Sequence, residues 1–131
     1  MADQHSSYHR RIESVVERYR ADRAAFEPPT DPPAADAAMD YCREGVGPAV
    51  MVYVDARAGD EDVRFTEREF DLLHEALNGY LSLYAACYGV ETEPDTTVRE
   101  AAELLLDTHN IGDVAALLTG VPDRAGSGDG A

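Results

Sequence analysis

The chain has 131 residues, enough for one domain whose core buries about two-thirds of the unfolded surface. Its 26 acidic residues outnumber its 11 basic residues, all arginine, and the formal net charge is −15. Such a charge repels phosphates, and no apolar run approaches the roughly 20 residues that span a bilayer. We therefore expect neither a nucleic-acid partner nor a membrane, and the polar N-terminus, which carries no secretory signal, predicts a cytoplasmic location.

Residues 1–26 predict an N-terminal amphipathic helix. Its apolar stripe consists of Tyr8, Ile12, Val15, Val16, Tyr19 and Phe26. The segment carries five arginines and four acids, net +1, whereas the remainder carries six arginines and 22 acids, net −16. Either the helix packs on the acidic body and neutralises part of it, or it presents Arg10, Arg11 and Arg18 to an anionic partner.

Residues 27–34 are rich in proline and predict a stiff, extended connector. The core domain is expected over 35–122, beginning with a short helix that ends at Gly45. A turn at 46–48 then leads into residues 49–54, whose β-branched side chains favour a strand. With a return at 63–65 this gives one small β-hairpin over 49–65. The predicted fold class is mainly α with this hairpin, an α+β domain.

Residues 66–89 predict a long central helix. Thr66 and Glu69 have the spacing of a capping box, and Gly89 suits a left-handed stop. Asn78-Gly79 is the weak point, where the helix breaks or another helix approaches closely. Tyr80, Tyr84 and Tyr88 lie four residues apart on one stripe. They are either core aromatics with hydroxyls at the rim or an aromatic face for a partner.

Two further helices are expected, one from Val98 to about His109 that ends at a left-handed Asn110, the other from Asp113 to Thr119. Residues 98–119 thus resemble the opening of a helix-turn-helix DNA-binding module. The expected reading helix is missing, because the chain continues into a Gly-rich tail, 123–131, predicted to be disordered.

Three groups of residues are candidates for a chemical site. Zinc would have to use Cys42, His74, Cys87 and His109, whose separations match no common zinc motif. The acids at 55 and 60–62 lack the calcium-loop spacing. His74 and Glu75 are adjacent on a helix and point apart. The sequence therefore predicts no catalytic residue, no cofactor and no metal, and the two cysteines are expected to be buried packing residues.

The lysine-free acidic composition, together with YCREGVGPAV and the long helix in 41–89, resembles small uncharacterised acidic proteins of haloarchaea. This resemblance implies a salt-rich cytoplasm and carries no activity with it. The interpretation that follows is a small non-enzymatic interaction or scaffold protein, binding another protein or itself as a homodimer. The alternative is a DNA-associated regulator that uses 98–119 and the N-terminal arginines.

Overall fold

A computed structural model describes residues 6–59 and 63–121 of the chain. Its helices are α1 (His9–Ala25), α2 (Ala35–Tyr41), α3 (Gly47–Ala58), α4 (Glu67–Cys87), α5 (Val98–Thr108) and α6 (Ile111–Thr119), with a π-helical turn, Cys42–Val46, between α2 and α3. α4 lies at the centre and packs against each of the other five helices. None of these helices is long and apolar enough to cross a bilayer.

The predicted β-hairpin over 49–65 is wrong. Residues 49–54 lie inside α3, and no strand occurs in 6–59 or 63–121. Ala49, Val50, Val52 and Ala56 are all buried on this helix. A short run of valines cannot be assigned to strand or buried helix from its period alone, and packing overrides the β preference of branched side chains. The α+β class is therefore replaced by an all-helical one for the described residues.

The turn predicted at 46–48 is also absent, because α2 continues through the π-helical turn into α3. The Gly47 N–H donates to the Cys42 carbonyl, five residues back, and the backbone at both residues stays right-handed helical. Pro48 has no N–H, and its ring would crowd a carbonyl in the preceding α-helical turn. A wider turn just before the proline accommodates that ring.

The central helix is confirmed. Thr66 and Glu69 form the predicted capping box, and α4 runs without a break through Asn78-Gly79. The Asn78 side chain holds the connection to α5, since it accepts from the Thr96 N–H at 2.9 Å and donates to the Thr96 carbonyl at 3.0 Å. Gly89 has the left-handed φ of 78° that the sequence favours.

α1 packs on the chain's own body, mainly on α4 and also on α3. Ile12, Val16 and Tyr19 of its apolar stripe are buried. The helix begins at His9 without a side-chain cap, and the Ser6 hydroxyl donates to Glu69 and accepts from the Tyr8 N–H. The boundaries of the first helix (1–26), the connector (27–34) and the core domain (35–122) stay predictions. Residues 1–5, 60–62 and 122–131, which include the tail predicted at 123–131, lie outside the described residues.

The turn between α5 and α6 differs by one residue from the prediction. His109 adopts the left-handed conformation, with φ 57°, and Asn110 is extended. The Asn110 side chain accepts from the Asp113 N–H at 3.0 Å, so it caps the start of α6 instead of ending α5. Gly120, with φ 75°, ends α6.

Candidate functional site

The three tyrosines singled out from the sequence line the interior of the bundle. Tyr80 and Tyr84 are buried, and Tyr88 is half-buried against Tyr84 with ring centroids 5.4 Å apart. The Tyr80 hydroxyl donates to Asp22 at 2.6 Å, and the Tyr84 hydroxyl donates to the Val121 carbonyl at 2.8 Å. Burial and the Asp22 carboxylate raise the pKa of Tyr80. That these residues bind a partner stays a prediction, but the hydroxyl groups of Tyr80 and Tyr84 already have hydrogen-bond partners within the chain.

The three predicted arginines of α1 differ in their surroundings. Arg11 pairs with Asp55 at 2.8 Å, and Arg18 pairs with Glu44. Arg10 is exposed and forms no ion pair with a described residue. Arg20, which the sequence did not single out, makes two hydrogen bonds to Glu75, at 2.7 and 2.8 Å. α1 thus neutralises part of the acidic body with several of its arginines.

A cavity of about 240 Å³ opens where α3 ends and α4 begins. We call it the arginine–aromatic pocket, and it is lined by Tyr53, Ala56, Arg57, Val63, Arg64, Phe65 and Phe70. Phe65 meets Phe70 edge-on, with centroids 5.4 Å apart, and lies 6.4 Å from Tyr53. All three rings are half-buried. The pocket therefore has an aromatic wall that water still reaches.

Two positively charged side chains, Arg57 and Arg64, lie at the rim of this pocket. The Arg57 guanidinium lies over the Tyr53 ring, 5.9 Å from its centroid. Arg57 and Arg64 are both exposed, and within 6–59 and 63–121 neither has an ion pair or a side-chain hydrogen bond. Their sequence neighbours at 60–62, all acidic, lie outside the described residues. In a chain of net charge −15, the pocket thus places two arginines, unpaired within the described residues, beside aromatic rings.

The N-terminal segment extends the aromatic wall. Tyr8 meets Phe65 edge-on, with centroids 6.2 Å apart, and Arg11 lies over the Tyr8 ring at 5.8 Å. Arg10 in the first turn of α1 and Arg68 in the first turn of α4 are exposed at the same end of the bundle. The end of the bundle where α1 and α4 begin thus carries five arginines: Arg10, Arg11, Arg57, Arg64 and Arg68.

Glu69 fixes this end of the bundle. It is fully buried, and it accepts from the Thr66 N–H at 2.9 Å, from the Ser6 N–H at 2.8 Å and from the Ser6 hydroxyl at 3.1 Å. His9 Nδ1 lies 2.9 Å from the same carboxylate. Burial acts to raise the pKa of Glu69, but these hydrogen bonds outweigh it and hold the pKa below its usual range. We call Glu69, Ser6, His9 and Thr66 the Glu69 node; it ties the start of α1 to the start of α4.

A second cavity, of about 230 Å³, lies between α1 and α2 and is acidic. Asp22, Asp40 and Glu44 line it together with Arg18. Arg18 pairs with Glu44 and lies 3.9 Å from Asp22, while Asp22 also accepts from Tyr80. Asp40 lies 4.0 Å from Arg43, so all three carboxylates have partners within the chain.

Of the candidate chemical sites, the acids at 60–62 lie outside the described residues. No group of three or more His, Cys, Asp or Glu side chains suited to a metal occurs in the described residues. Cys42 and Cys87 are buried free thiols, and burial raises the pKa of Cys42 to about 12. His74 stacks on Phe70, and its Nε2 has no hydrogen-bond partner among the described residues, while Glu75 accepts from Arg20.

Sequence reasoning missed Arg57, Arg64 and the ring of Phe65 because it assigned 49–65 to a hairpin. The signal was present, since Tyr53 and Arg57 are four residues apart and share a face on a helix. A helical assignment of 47–58 would have placed an arginine over a ring at the helix end.

Comparisons with known proteins give a family and no function. No curated protein matches the chain. No solved structure matches it. The model of one family, the domain of unknown function DUF8055, matches residues 6–123, which include every helix described above. The chain therefore belongs to the DUF8055 family.

Proposed function

We propose that this protein is a small non-enzymatic interaction protein that binds an acidic segment of a partner protein at the arginine–aromatic pocket. One observation carries the proposal: Arg57 and Arg64 stand unpaired, among the described residues, at the rim of a half-buried aromatic cavity in a strongly acidic chain. Exposed aromatic and arginine side chains are enriched where proteins bind one another. The local positive charge of the rim then favours an acidic segment over a basic one.

A symmetric dimer through this pocket is disfavoured. Two copies related by a two-fold axis would bring the same surface face to face, and Arg57 and Arg64 of each copy would meet those of the other. The strand that was expected to pair across a dimer axis is a buried helix instead. Leu106 on α5 and Leu117 on α6 are exposed, and exposed apolar residues are common on monomeric proteins. The acidic partner is therefore taken to be a different protein.

DNA binding has less support. α5 and α6 do form a helix pair over the expected residues, but α6, IGDVAALLT, carries no basic side chain. Asp113 lies in its first turn, where it would repel a phosphate. Arg99 on α5 pairs with Glu103, 3.4 Å away. We keep the cytoplasm of a salt-rich cell as the proposed location, on the strength of the acidic, lysine-free composition.

The test is a titration of a fluorescent twelve-residue peptide, rich in Asp and Glu and containing one Phe. The wild-type protein is compared with Arg57→Gln/Arg64→Gln. The control variant is Arg43→Gln/Arg99→Gln, because these exposed arginines contact acids of their own helical segments. We expect saturable binding by the wild type and the control, and several-fold weaker binding by the pocket variant. Equal affinity of all three proteins would contradict the proposal.

A further inference from the structure

We infer that the arginine–aromatic pocket takes one aromatic side chain of the partner, with a carboxylate of a neighbouring Asp or Glu on Arg57 or Arg64. The inference rests on the proposed function and names the recognition element within the acidic segment. The ligand chemistry is an acid-flanked Phe, Tyr or Trp in a peptide.

The size of the cavity sets the first limit. Its volume of about 240 Å³ falls below the roughly 300–1,000 Å³ of sites that hold whole small molecules, so it suits a single side chain. Its walls favour an aromatic one, because Phe65 and Phe70 already meet edge-on and leave ring surface at the cavity. An inserted ring could extend that arrangement in the geometry aromatic pairs prefer.

The arginines at the rim determine which groups of a ligand fit beside the cavity. Arg57 lies over the Tyr53 ring, which orients the flat guanidinium and leaves its N–H edge for an acceptor. A carboxylate matches that edge with two parallel hydrogen bonds. Ion pairs that remain exposed contribute little to affinity, so charge alone would bind a partner weakly here. The buried ring therefore supplies most of the affinity, and the carboxylate supplies orientation and choice of partner.

Nucleic acid is the main competitor for an arginine–aromatic site, since bases also stack on aromatic rings. A nucleic-acid strand carries one phosphate per nucleotide and needs a basic groove along its path. Here two arginines, Arg57 and Arg64, line a single cavity in a chain with net charge −15. A peptide can confine its negative charge to the residues beside its aromatic anchor, so the pocket fits a peptide better.

The experiment changes the ligand, so the aromatic anchor is tested on the unaltered protein. Four labelled probes are titrated against the full chain at equal salt: the acidic peptide with Phe, the same peptide with Phe→Ala, the Phe peptide with its flanking acids changed to Gln or Asn, and a thymidine oligonucleotide of matched charge. We expect the Phe→Ala peptide to bind at least about tenfold more weakly and the acid-free peptide to bind several-fold more weakly. The oligonucleotide should not displace the peptide.

The outcomes separate the two proposals. Equal binding of the Phe and Ala peptides, still lost in Arg57→Gln/Arg64→Gln, would overturn the aromatic anchor and leave the acidic partner standing. Failure of every peptide to bind would overturn both proposals. Displacement by the oligonucleotide would make nucleic acid the occupant and overturn both. Light scattering measures the molar mass of the wild type and of Arg57→Gln/Arg64→Gln. A wild-type dimer that dissociates in the variant would make a second copy the occupant of the pocket and overturn the inference.

Discussion

The ring of Tyr19 lies on Gly79 so closely that a Cβ added to the glycine would fall 2.1 Å from Tyr19 Cζ. Tyr19 is the last buried residue of α1 along its length, and its ring also meets Tyr80 edge-on, with centroids 5.3 Å apart. Gly79 weakens α4 as an isolated helix, but it allows α1 to pack closely against α4.

Replacement of Gly79 by Ala tests this close approach. Helix propensity alone favours Ala by about 1 kcal/mol. The clash with Tyr19 forces the ring to move, and we expect a net loss of about 1–3 kcal/mol in the free energy of unfolding. Urea denaturation measures it. Gly59→Ala is the control, because a Cβ there meets Asp55 O at an ordinary 3.4 Å and should change stability little. A gain in stability for Gly79→Ala would show that Tyr19 repacks freely.

The Glu69 node predicts a large effect from one carboxylate. Glu69→Ala removes the acceptor of the Ser6 and Thr66 N–H groups, and we expect a loss of about 2–3 kcal/mol. Glu67→Ala removes an exposed acid from the same helix turn and should cost less than about 1 kcal/mol. Chemical denaturation of both variants checks this, with hydrogen exchange at residues 6–12 as a local readout. Unchanged exchange there in Glu69→Ala would mean that the node does not hold the start of α1.

His74 gives the chain a pH dependence of defined sign. Burial lowers the pKa of His74, although Asp71 and Asp95 act in the opposite direction. As pH falls through about 6.5, the unfolded chain binds a proton at this residue before the folded chain does, so stability decreases. The contribution is fully present above that pH and is lost toward the lower pKa of the folded state.

Denaturation of the wild type at about pH 7.5 and 5.5 measures this dependence. His74→Gln should reduce the difference between the two pH values, whereas His109→Gln, at an exposed position, should leave it unchanged. The same difference in wild type and His74→Gln would refute the assignment.

Salt should stabilise the fold, because a net charge of −15 repels itself in dilute buffer. We expect the melting temperature to fall as KCl is lowered from about 2 M to about 0.1 M, where the Debye length grows to about 10 Å. Glu91→Gln/Glu93→Gln/Asp107→Asn neutralises three exposed acids and should flatten the dependence. A melting temperature independent of salt would show that the charge is tolerated without screening.

Local signals in the sequence predicted the features that depend on local geometry. The Thr66–Glu69 capping box and the stop at Gly89 each depend on residues within one or two turns, and the structure contains both. The Asn110 assignment erred by one residue, because Asn110 caps the start of α6 and the left-handed position falls on His109.

Features that depend on distant residues could not be predicted in the same way. The valine run of α3 suits a strand or a buried helix, and only the helices packed around it decide between them. The same error hid the pocket, since Arg57 reaches Tyr53 only when both lie on a helix. Likewise, nothing near Tyr80 in sequence indicates Asp22, which lies 58 residues away.

The π-helical turn, rather than the identity of any one residue, sets the phase between the two halves of one helical rod. Each residue advances an α-helix by about 100°, and a π-helical turn holds about one residue more than an α-helical turn. If Cys42–Val46 closed into regular α-helix with no residue removed, α3 would therefore rotate by about 100° relative to α2. Val50 and Val52 would swing out of the core, and Tyr53 and Arg57 would swing away from Phe65. The extra residue of the turn thus keeps the buried face of α3 and its wall of the arginine–aromatic pocket in register.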